Sequence, residues 1–188
     1  MNKLLTILTY VCLAHGAAAI EPKDILGTWR LLSAVSTVVA TGETTNSFGT
    51  DPKGVLSYAA DGRMSATIVY GTRPKPGDLT KVTDQERLQL YRTMLVYAGT
   101  FSIEGDVVTH HVDISSNETW TGTKQVRYAK FDGDILVITT PAQPRSTDGL
   151  VSVGKLRWVR VRPDFQVGER KKPNQAPEPT APSGRGSS

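Results

Sequence analysis

Cysteine and histidine are scarce in this chain: among 188 residues there is one Cys and there are three His. Cys12 lies inside an N-terminal apolar run, so a chain processed after that run would carry no disulfide and would depend on its core alone. His15 belongs to the same leader, which leaves His110 and His111. As neighbours on a strand they point to opposite faces, so no metal site is expected from them. There is no Gly-x-Ser-x-Gly, no His-Glu-x-x-His, no P-loop and no Gly-x-Gly-x-x-Gly. The familiar hydrolase, zinc-protease and nucleotide-binding machineries are thereby excluded, and no cofactor is expected.

The chain also lacks a real excess of either charge. Its formal net charge of +4 suggests acidic partners until the cations are located. Without the cations Lys3, Arg170, Lys171, Lys172 and Arg185 and the acids Glu169 and Glu178, residues 20–167 carry 17 positive and 16 negative charges. Basic residues scattered over a near-neutral body, with no aromatic interleaving, argue against nucleic acid.

The ends of the chain differ from its middle. Met1-Asn2-Lys3, the apolar run of 11 residues from Leu4 to Ala14, and His15-Gly16-Ala17-Ala18-Ala19 have the three-part form of a secretory signal. Cleavage is expected after Ala19, which places the protein in a secreted or periplasmic location. The run is short for a bilayer core that needs ~20 residues, so no stable membrane insertion is expected. Val11 before Cys12 is not the small residue that a lipid-anchored cysteine needs. From Gly168 onward the chain is rich in Pro, Gly and Ser with no large apolar residue, and a disordered tail is expected over residues 168–188. One domain is expected over residues 20–167.

Within that domain the punctuation is that of β-hairpins. Asp61-Gly62, Glu104-Gly105 and Asp132-Gly133 each separate two alternating runs, and glycine accepts the positive φ of a tight turn. Eight strands follow, at about 27–39, 54–59, 63–70, 97–103, 107–114, 124–131, 134–140 and 151–161. The capping box Thr83-Asp84-Gln85-Glu86, followed by Leu88, Tyr91 and Leu95, predicts a helix over residues 84–96 between the third and fourth strands, its apolar stripe closing one end or side of the sheet. Eight sequential antiparallel strands leave two open edges unless the sheet closes, so an all-β, eight-stranded antiparallel up-and-down barrel is expected. A two-sheet sandwich is the structural alternative.

Gly27-Thr28-Trp29 at the start of the first strand resembles the Gly-x-Trp signature of lipocalins. The resemblance implies that Trp29 closes the barrel base and stacks on a basic residue of the last strand, for which Arg160 in Leu156-Arg157-Trp158-Val159-Arg160 is the candidate. Longer stretches, among them Gly54-Val55-Leu56-Ser57-Tyr58, Tyr97-Ala98-Gly99-Thr100-Phe101 and Gly122-Thr123-Lys124-Gln125-Val126-Arg127, are similar to the bacterial and fungal lipocalin-like domain family of calycin-type barrels. The resemblance covers about residues 24–162. A helix between the third and fourth strands departs from a typical lipocalin, whose helix follows the last strand.

Alternation assigns the interior. Val108, His110, Val112 and Ile114 form the apolar, inward set of the fifth strand. Periodicity alone leaves the sixth strand open; the resemblance favours Gln125 and Arg127 as its inward pair. Either Arg127 is held by carbonyls or by Gln125 and fixes the barrel, or a ligand carboxylate, phenolate or carbonyl docks against His110, Gln125 and Arg127. Tyr58, Met64, Ile68, Phe101 and Trp158 would supply walls. The first functional expectation is therefore a binder of a small hydrophobic ligand. The alternative is a cofactor-free isomerase or cyclase, with His110 as acid/base and Arg127 or Tyr58 stabilising developing charge. A third option is a solid core that works through a surface partner. The sequence says nothing about oligomeric state. Trp120 is either a rim anchor or a barrel cap.

Overall fold

At three tight turns the chain places a glycine at positive φ: Gly62 at 82°, Gly105 at 63° and Gly133 at 58°. The computed structural model describes residues 20–145 and 148–162. The expected leader with its cleavage site and the expected tail lie outside these residues. Among the described residues there are ten strands: β1 (Gly27–Val38), β2 (Thr44–Asn46), β3 (Lys53–Tyr58), β4 (Arg63–Val69), β5 (Met94–Glu104), β6 (Val107–Ser115), β7 (Lys124–Asp132), β8 (Ile135–Thr139), β9 (Gln143–Pro144) and β10 (Val151–Arg160). They form one antiparallel sheet in the order β2-β1-β3-β4-β5-β6-β7-β8-β10-β9.

β1 also pairs with β10, from Trp29 opposite Arg160 to Val38 opposite Ser152. This pairing closes eight long strands into a barrel, and β2 and β9 are short additions to β1 and β10 at the mouth. Closure leaves the long strands without free edges. A short helix, α1 (Pro22–Ile25), precedes β1 and was not foreseen from the sequence; it buries Ile25 completely.

The second helix, α2 (Asp84–Arg92), starts on the capping box, with Thr83 Oγ1 accepting from the Glu86 N–H and Glu86 accepting from the Thr83 N–H. It lies between β4 and β5 and stops four residues short of the expected end at Val96. Met94, Leu95 and Val96 instead begin β5, opposite Val69, Ile68 and Thr67. Ladder bonds and packing of Leu95 against the core outweigh helical spacing there. Leu88 and Tyr91 remain 38% and 59% exposed, so the expected closing stripe is absent: α2 buries no residue.

Two β-bulges set which residues face inward. Leu31 pairs with Trp158 and Ser33 with Arg157, so Leu32 is the extra residue and turns outward. Gly99 pairs with Val112 and Ala98 with Ile114, which leaves Asp113 extra. Ile114, expected to point inward, is 65% exposed because this bulge reverses the alternation beyond Val112. The bulge also brings backbones together: a Cβ on Gly99 would lie 1.8 Å from the His111 carbonyl oxygen. Only glycine fits that position.

Candidate ligand-binding site

The base of the barrel is closed by satisfied groups. Trp29 is buried, and its Nε1 donates to the Ile25 carbonyl at 2.8 Å. The Arg160 guanidinium lies 4.1 Å from the Trp29 ring centroid and donates to the carbonyls of Asp24 and Leu26. Gly27 sits at φ 118°, and a Cβ there would meet Arg160 Nη1 at 2.9 Å, so glycine lets the guanidinium lie flat. A shallow cleft of about 390 Å³ lies outside this floor, lined in part by Lys23, Trp29, Phe131, Asp134 and Arg162. Arg162 pairs with Asp134 at 3.7 Å and Lys23 with Glu21 at 2.6 Å, both exposed.

Higher in the barrel, four strands converge on one histidine. His110 on β6 is 1% exposed. Its Nε2 is 2.7 Å from the Tyr58 hydroxyl on β3, and its Nδ1 is 3.0 Å from the Tyr97 hydroxyl on β5. Burial, helped by the positive charge of Arg127 on β7, holds the His110 pKa down at about 3. Burial also pushes the Tyr58 hydroxyl well above its ordinary range. Both rings are therefore neutral at physiological pH. Tyr58–His110–Tyr97 is a hydrogen-bonded chain that leaves no ring nitrogen free.

Arg127 completes the group. It is 6% exposed, lies 5.8 Å over the Trp120 ring, and donates from Nη1 to the Val126 carbonyl at 2.8 Å. Trp120 in turn meets Tyr97 edge-on at 5.4 Å. Gln125 is only half-buried, and its Nε2 donates to Thr123 Oγ1 at 3.1 Å rather than to Arg127 or His110. Phe101 packs edge-on against Tyr58 at 4.8 Å. Met64, Ile68 and Trp158 are each buried in the common core. Trp158 Nε1 is buried with no hydrogen-bond partner among the described residues.

Sequence reasoning missed Tyr97 and could not place Trp120. Tyr97 lies four residues before Phe101 on the same strand, so shared parity was a usable signal. Nothing local linked Trp120 to Arg127.

A family model described as lipocalin-like domain matches residues 26–161. The chain belongs to the lipocalin-like domain family, consistent with the closed antiparallel barrel. It is also similar to the 4'-hydroxy-3'-methoxypropiophenone carrier protein ppsC of Aspergillus oryzae, at 32% identity over 108 residues, which covers 52% of this chain and 96% of the relative. Family and relative together support small-molecule binding in the barrel.

Proposed function

We propose that this protein is an exported carrier, secreted or periplasmic, that holds a small, mainly apolar molecule inside the barrel with the molecule's polar end at Arg127. The observation that carries the reading is Arg127 itself: it is 6% exposed, yet a single backbone carbonyl accepts from it and no carboxylate pairs with it among the described residues. Its Nε and Nη2 are not fully enclosed, since Trp158 Nε1 is the one fully enclosed side-chain nitrogen or oxygen without a partner among the described residues, so a ligand oxygen can reach them and accept from them. The neighbouring walls are apolar and aromatic, the usual lining of a small-molecule site. The similar Aspergillus protein is named for carrying an aryl ketone that bears hydroxyl and methoxy groups, an apolar body with polar oxygens of the kind this reading calls for.

Native mass spectrometry of the protein isolated from the exported fraction of its own source tests both halves of the proposal. The expected result is a chain beginning at Ile20 with a bound molecule that is released on denaturation. A protein that retains residues 1–19 refutes export, and ligand-free protein that also takes up no apolar probe refutes the carrier.

A further inference from the structure

The donors and acceptors inside the barrel are unequal. Arg127 is the one buried ion among the described residues, since the other buried polar residues are Ser36, Thr93, His110 and Ser152. Two of its nitrogens, Nε and Nη2, donate to no protein acceptor there. His110 and Tyr58 stay neutral, so neither balances the charge. A neutral imidazole has one N–H and one lone pair, so one of its two tyrosine partners donates to it and the other accepts from it. The accepting hydroxyl keeps its own proton, and neither tyrosine hydroxyl has another partner among the described residues. Trp158 Nε1–H is a third unused donor. Arg127, the spare tyrosine O–H and Trp158 Nε1 all offer protons, the first with a positive charge, while the tyrosine that donates to His110 offers only oxygen lone pairs.

We infer that the ligand of this barrel is an organic anion with additional hydrogen-bond acceptors, a carboxylate or phenolate joined to an apolar body, and that the site rejects amines and cations of the same shape. The inference rests on the carrier reading and adds the sign of the ligand's charge. An ammonium brought to Arg127 meets a like charge and further donors, whereas an oxyanion can accept from the guanidinium and from the spare tyrosine proton together. The nearby aromatic faces suit a planar body.

Two fluorescent dyes with the same aromatic frame separate charge from shape: anilinonaphthalene sulfonate, an anion, and phenylnaphthylamine, its uncharged counterpart. The wild-type protein is expected to bind the sulfonate at least about tenfold more tightly. Arg127→Met is expected to abolish that preference while keeping affinity for the neutral dye, and Arg127→Lys to retain part of it. Should Arg127→Met fail to fold, as judged by circular dichroism, Arg127→Gln serves in its place. Equal affinity for both dyes in the wild type, or a sulfonate preference that survives loss of the arginine charge, overturns the inference and leaves the carrier intact. Failure of both dyes to bind refutes the carrier reading itself.

Discussion

Two arginines in this barrel each lie over a tryptophan, and their surroundings differ in burial and in the acceptors they meet. At the base, Arg160 lies 4.1 Å over Trp29 and donates to two carbonyls that close the floor. In the interior, Arg127 lies 5.8 Å over Trp120, is more deeply buried, and donates to one carbonyl only. The first, although exposed, is tied to two carbonyls of the chain's own backbone and has a structural role. The second is left incomplete by the fold. A cation in a largely desolvated site with unused donors offers a partner molecule hydrogen bonds that the chain itself does not take up.

The largest expected effect concerns the neutral state that burial imposes on the interior. Native His110 stays unprotonated down to about pH 3, whereas the same residue in the unfolded chain takes a proton near 6.5. The unfolded state therefore binds the additional proton between these values. Stability is full above pH 6.5 and falls as pH drops through the window, by up to ~1.4 kcal/mol per pH unit. Hydrogen bonds from Thr80, Thr83 and Arg145 hold Asp78, Glu86 and Asp148 respectively below the usual carboxylate range, so the stretch from pH 6.5 to 5 reports mainly on His110. Urea unfolding at several pH values should show this slope, and His110→Gln should flatten it. A wild-type slope of zero would mean that His110 is solvated.

Next in size is the arginine pair itself. Arg160→Met removes two backbone hydrogen bonds and the stacked cation, and should destabilise the fold by about 1–3 kcal/mol. Arg127→Met replaces an unpaired buried cation by an apolar chain of similar length, and should leave stability within about 1 kcal/mol of wild type or raise it. Equal losses from the two variants in urea titrations would erase the distinction between a structural and a functional arginine.

The smallest effect tests the outward turn beyond the Asp113 bulge. Ile114→Asn should change stability by no more than about 0.5 kcal/mol in thermal or chemical unfolding. A loss of several kcal/mol would return Ile114 to the interior.

The reading of the sequence succeeded where the physics is local. Glycine at positive φ after Asp61, Glu104 and Asp132 marks a hairpin whatever surrounds it. Alternation over Val108, His110 and Val112 shows the inward face of β6 as far as the bulge. It failed where a partner strand decides. The outward turn of Ile114 depends on one extra residue, Asp113, relative to β5, which no pattern within the strand itself reveals. The end of α2 at Arg92 is of the same kind, because Leu95 fits a helical stripe as well as a strand and only the ladder with β4 chooses.

By itself, then, the sequence determined the hairpins, the start of α2, the near-neutral body and the candidates Trp29, Arg160, His110 and Arg127. The hairpins, the helix start and His110 follow from residue type and short-range periodicity, whereas Trp29, Arg160 and Arg127 come from the resemblance to the lipocalin-like family. The tertiary structure alone decided that Arg160 reaches two backbone carbonyls and Arg127 one, and that two tyrosines occupy both nitrogens of His110. Tyr58 and His110 stand 52 residues apart, and Tyr97 lies on a third strand between them. Whether a buried group is satisfied depends on which distant side chains reach it, and closure of the sheet is what brings them together.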